Sequence, residues 1–164
     1  MSALSASRYT VQVGDHGVIE LIQYPIKAST KIYQGGIVVS DAGYAAPGRT
    51  ATGLKTLGVL WRVVPPATSS GSSLTALGIT GGDADNSSGA AGAFMVEVRR
   101  GTFKFVNDGS DPVAQADLPI SVYITDDQTV CKTATGKSKA GTALFIDTDG
   151  QVAVEIGNLG LSGV

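Results

Sequence analysis

Apolar residues along this chain recur with a period of two and rarely with a period of 3.6, which predicts strands rather than helices. Tyr9, Val11 and Val13 alternate with Thr10 and Gln12, ahead of a turn at Gly14-Asp15-His16-Gly17. Val18, Ile19, Leu21 and Ile22 predict a second short strand, which Pro25 ends or places at a sheet edge. The β-branched run at residues 35–40 (GGIVVS) predicts a third strand, closed by the turn Asp41-Ala42-Gly43. Residues 56–64 predict another, stopped by Pro65-Pro66.

Residues 67–92 break the pattern. They are rich in Ser, Gly and Asp, with an apolar island at Leu74, Leu77 and Ile79, and predict a long loop or inserted hairpin. Phe94, Val96 and Val98 then alternate with Met95, Glu97 and Arg99, and Phe103 and Phe105 with Thr102, Lys104 and Val106. With Arg100-Gly101 as the turn, this reads as one hairpin with an apolar face. Asn107-Asp108-Gly109 begins a loop, and Ile120, Val122 and Ile124 mark a further strand. Residues 143–146 and 151–156 flank Asp147-Thr148-Asp149-Gly150, where the DG pair predicts a second hairpin. The best helix candidate is the short stretch 115–118.

Roughly eight or more short strands at these spacings predict an all-β fold. We expect a single-domain sandwich or barrel of mostly antiparallel strands, with a long Ser/Gly-rich loop. An N-terminal arm occupies 1–8, the β domain 9–156 with its loop or insertion at 65–92, and a C-terminal tail 157–164. Trp61 and the phenylalanines of the central hairpin fit the core first and an interface second, while Tyr9 fits core or interface equally well.

Composition adds constraints. The 164 residues suffice for one domain with its own core. Charged residues are only 16%, against a usual share of about 25%, so Ser, Thr, Gly and Ala must cover much of the surface. That suits a protein held in a crowded, permanent assembly. The net charge is −2 and the isoelectric point about 5.2, leaving no basic excess for direct nucleic-acid binding. Cys131 is the only cysteine, so no intrachain disulfide forms and a reducing compartment is expected. The first residues lack the apolar run of a signal peptide, and no stretch approaches the ~20 apolar residues of a membrane span. The chain is therefore expected to be made and assembled in a cytoplasm, without membrane contact.

Candidate chemistry is sparse. His16 is the only histidine, sits in a turn, and has no GxSxG elbow to partner. One His and one Cys cannot build an ordinary zinc site. Asp83, Asp85 and Asn86, and likewise Asp147 and Asp149, are oxygen-rich but read as Asx-type turns, and Gly150 comes too early for an EF-hand loop. Gly136-Lys137-Ser138 ends like a phosphate-binding loop, but Cys131 stands where that motif needs glycine. No two glycines stand two apart, so no GxGxxG exists. The expectation is no catalytic residue, no metal and no cofactor.

Several stretches carry a resemblance together. They are residues 31–47 (KIYQGGIVVSDAGYAAP), 53–59 (GLKTLGV), 85–92 (DNSSGAAG), 96–105 (VEVRRGTFKF), 122–126 (VYITD) and 140–150 (AGTALFIDTDG). In this order they resemble the capsid cement, or decoration, proteins of tailed bacteriophages. The resemblance spans about residues 8–156 and departs from the family between 65 and 82, where this chain has extra sequence. It implies a homodimer or homotrimer that binds the major capsid protein on the outer surface of the virion and stabilises the shell. The ends are then the candidate contact elements, through Ser2, Leu4, Arg8 and Tyr9 in the arm and Leu159 and Leu161 in the tail. A carbohydrate-binding or host-attachment module, reading its ligand with residues 67–92, is the alternative function.

Overall fold

The structure is a computed structural model and describes residues 2–13, 21–64 and 82–157. In these residues the fold is all-β, with one short 3-10 turn at Gln115–Asp117 where the sequence offers its helix candidate. Three layers of pairing hold it together. β1 (Leu21–Pro25), β3 (Ile37–Asp41), β4 (Tyr44–Pro47), β5 (Lys55–Val64) and β7 (Met95–Arg99) form an antiparallel sheet in the order β1-β7-β5-β3-β4. β8 (Gly101–Asn107), β9 (Ile120–Ile124), β10 (Thr129–Cys131), β11 (Lys139–Ile146) and β12 (Val152–Ile156) close into a small barrel, in which only the β10–β8 pair is parallel. β2 (Thr30–Ile32) and β6 (Ala84–Asn86) form a separate ribbon, so part of the expected 65–92 loop is a paired strand. Residues 65–81 lie outside the described residues. Among the described residues no helix is long and apolar enough to cross a membrane.

Turn chemistry fixes the register of the two tight hairpins. Between β3 and β4, Ala42 and Gly43 both take positive φ, 52° and 89°. That two-residue turn matches the right-handed twist of the strands it joins. Between β11 and β12, Thr148 N–H donates to Asp147 Oδ1 at 2.7 Å and Gln151 N–H to Asp149 Oδ1 at 3.0 Å. These Asx contacts hold the DG turn, and the expected hairpin forms.

The sheet has a core on each face. Ile37, Val39 and Val59 pack into the barrel against Phe103, Phe105, Ile124 and Val154. From the opposite face Val38, Leu57, Leu60, Val96 and Val98 pack with Ile26, Ile32 and Phe94. β3 and β5 therefore read as near-continuous apolar runs, because both of their faces are buried. Cys131 is buried as a small core residue.

Three sequence expectations are corrected. First, β7 and β8 are strands but not a hairpin. Arg100 alone links them, which is too short for a hairpin loop. Arg99 takes β1 and β5 as neighbours while Gly101 pairs with Ile156, so the chain passes from sheet to barrel there. Second, residues 9–13 are not a ladder strand. β10 meets only the C-terminal end of β8, through Thr129 and Val130. Residues 11–13 cover the remaining edge with a single bridge, Gln12 to Phe103. Third, Trp61 is 40% exposed instead of core. It sits beside a register shift between Leu60 and Arg62 in the β5–β7 ladder, on the barrel side of the sheet but where no core residue covers it.

Candidate functional site

The N-terminal arm lies across the junction of sheet and barrel. Ser2 C=O accepts from Gln128 Nε2 at 2.7 Å, and Leu4 N–H donates to Asp127 Oδ1 at 2.7 Å. Arg8 N–H donates to Gln34 C=O at 2.9 Å, and its guanidinium donates to Lys104 C=O at 3.1 Å and Gln128 Oε1 at 3.3 Å. The seat is Gly35, with φ at 83°. A Cβ there would stand 2.1 Å from Arg8 C=O, so only glycine lets the arm approach.

Asp127 is the anchor. Burial pushes its carboxyl up to about 6, helped by the neighbouring Asp126 charge, while the Leu4 N–H and Arg8 pull the other way. The same burial lowers the Arg8 pKa, opposed by Asp127 and then Asp126. The structure thus brings Ser2, Leu4 and Arg8 onto the turn between β9 and β10. Leu4 and Arg8 are half-buried there, whereas Ser2 is exposed and Tyr9 is 87% exposed. Leu159 and Leu161 lie outside the described residues.

Beside the arm is a cleft of about 370 Å³, lined by Arg8, Tyr9, Gln12, Gln34, Trp61 and Arg99 among others. One wall is the part of the sheet that extends past the barrel. Arg99 stacks on Trp61, 4.4 Å from the ring centroid, and donates to Gln12 Oε1. Gln34 Nε2 holds Trp61 C=O at 2.8 Å. Leu21 stands across from Arg99 in the β1–β7 ladder and is exposed on the same face. No local motif in the sequence marks these residues. Their one trace is the Arg99-Arg100 pair, which the structure splits. Arg99 enters the cleft, whereas Arg100 donates to Leu57 C=O and the Tyr24 hydroxyl.

The cluster at 83–86 is spent on one Asx turn and on ties to distant segments. Asp85 accepts from Ser87 N–H and hydroxyl, Asp83 accepts from Gln34 N–H, and Asn86 donates to Lys27 and Ala90 carbonyls. Asp85 is held below the usual carboxylate range, first by the Ser87 hydroxyl. Among the described residues no group of three or more His, Cys, Asp or Glu is placed to hold a metal ion. Ser138 donates to Ala51 C=O at 2.7 Å and accepts from Leu54 N–H at 3.0 Å, so the Gly136-Lys137-Ser138 stretch ties the barrel to the sheet. His16 lies outside the described residues. The chain matches no protein-family model, no curated protein and no solved structure.

Proposed function

We propose that this chain is a non-enzymatic virion structural protein that binds the outer surface of a phage capsid and stabilises the shell. The observation that carries the protein-binding half is the exposed apolar surface at the cleft. Tyr9, Trp61 and Leu21 stand open on one side of a molecule with few charges. Exposed aromatics of this kind are typical anchors of protein interfaces. The step from an interface to a shell rests on the family resemblance of residues 8–156. Each copy touches two or more major capsid subunits, so its binding energy adds to shell cohesion. A homodimer or homotrimer multiplies that effect, because linked contacts dissociate together, and it suits the local symmetry axes of a closed shell.

The experiment mixes purified protein with undecorated heads and sediments them. Co-sedimentation is expected, weakened by Trp61→Ala and Tyr9→Ala. Protein that stays in the supernatant at saturating concentration would sink the idea. A glycan array that responds to the isolated protein would favour the host-attachment alternative, because exposed rings beside Gln amides also suit sugars.

A further inference from the structure

Among the described residues the cleft holds a guanidinium without an acid. Arg99 Nε is buried and has no hydrogen-bond partner among them, while its Nη2 is spent on Gln12. Glu97, the acid on the same strand and face, is paired with Arg62 at 2.5 Å. Among the described residues no carboxylate pairs with Arg99. A cation kept partly from water without a counter-charge is costly, and Nη1, which makes no hydrogen bond among the described residues, is the N–H group left to meet a carboxylate.

A second observation is independent of charge. Around the Gln12–Phe103 bridge, Val13 N–H donates to Thr102 C=O at 2.8 Å and Lys104 N–H to Val11 C=O at 3.1 Å. In an antiparallel pair of this type the central residue turns its own N–H and C=O away from the partner strand. The Gln12 backbone therefore forms an outward edge, with no backbone partner among the described residues. It borders the cleft that Trp61 and Arg99 line.

We propose that the cleft receives an extended peptide segment of a partner protein. The segment adds as a strand at Gln12, sets a carboxylate side chain on Arg99, and lays an apolar side chain on Trp61 and Tyr9. The two side chains are two residues apart, because side chains on one face of a strand repeat at about 6.8 Å. Backbone pairing supplies binding strength and the two pockets supply selectivity. A sugar would use the rings but not the backbone edge. The proposal extends the shell reading without depending on it, since any protein with such a segment fits.

The test pans a random heptapeptide display library on the full chain. The expected consensus is an Asp or Glu two positions from a large apolar residue. A synthetic peptide of that consensus should change the emission of Trp61, the only tryptophan, in a saturable way. Its glutamine or asparagine version should bind the unaltered protein at least tenfold more weakly, a comparison that needs no variant protein. Arg99→Gln should weaken the acidic peptide at least tenfold with an unchanged melting curve, and Arg99→Lys should recover part of the loss. Methylating the peptide's central amide nitrogen should also weaken it, which a site reading side chains alone would not show. Panning that enriches nothing, a consensus without an acid, or equal binding of acid and amide peptides overturns the proposal. So does a Trp61 response to uronic-acid oligosaccharides with none to peptides. Failure of the peptides alongside successful sedimentation with heads would reject this cleft and leave the shell reading standing.

Discussion

Asp127 shows how a single residue sets the pH response of the arm. Its carboxyl titrates near 6 in the folded chain because burial disfavours the charge, against about 3.9 for an unfolded aspartate. The folded state therefore binds the extra proton between those values, and stability falls as pH rises from about 4 to about 6. Above that range the penalty is constant. Asp41, held low by Lys27 and then Arg49, and Asp108, held low first by the Ser110 hydroxyl, act oppositely and lose their contribution as pH drops below the usual carboxylate range. Asp127→Asn keeps an acceptor for Leu4 N–H and removes the titration. The melting temperature of Asp127→Asn minus that of the unaltered protein should grow between pH 4 and pH 7, and a flat difference would refute the assignment. Gly35→Ala tests the seat of the arm. The methyl meets Arg8 C=O in a left-handed backbone, so a loss greater than the roughly 1–2 kcal/mol of the backbone conformation alone is expected by urea unfolding. Burial of Phe94, Phe103 and Phe105 was legible from alternation. Exposure of Trp61 was not, because alternation assigns a residue to a face without saying whether anything covers that face at that point.

At the level of elements, alternation located strands better than it located partners. The β11–β12 hairpin was readable because Asp147, Asp149 and Gly150 carry their own turn chemistry. The β7–β8 pair was misread because Arg100-Gly101 looks like a two-residue turn, whereas Gly101 already pairs with Ile156 in the barrel and leaves Arg100 alone as the link. β2, β6 and β10 have three residues each, too few for a period to register, and they exist through pairing with distant segments. The arm is the clearest case. Nothing in residues 2–8 signals that they dock, since their partners are Gln34, Asp127 and Gln128 far along the chain. Deleting residues 2–7 removes the Leu4–Asp127 and Gln128–Ser2 hydrogen bonds. At about 1 kcal/mol net each, and about 2–4 °C per kcal/mol for a domain of this size, the melting temperature should fall by roughly 4–8 °C. An unchanged melting curve would mean that the arm is not held to its own domain in solution.

Across the whole molecule the question is whether two cores make two folding units. The barrel has its own closed ladder and its own cluster around Phe103, Phe105 and Ile124. The other face of the sheet has a cluster around Leu60, Val96 and Val98. Neither is complete alone. Ile37, Val39 and Val59 fill the barrel side, while Val38, Leu57 and Leu60 on the same two strands fill the other. Moving β3 or β5 would open both clusters together. Ser138 adds a polar tie between Ala51, Leu54 and the start of the barrel strand β11. The described residues should therefore unfold in one transition. Phe105→Ala in the barrel and Leu60→Ala in the sheet remove fully buried side chains, at roughly 3–5 and 2–5 kcal/mol respectively. Trp61 emission reports on the sheet, and far-UV circular dichroism reports on all strands. For each variant the two probes should shift to lower urea by the same amount. If Phe105→Ala lowers the dichroism midpoint while Trp61 emission keeps its own, the barrel and the sheet are separate units. A partner gripping the cleft, which Phe103 of the barrel and Trp61 of the sheet both line, would then brace each unit through its own contact. With one transition, the same grip stabilises the entire chain, since binding to any part of a cooperative unit opposes unfolding of all of it.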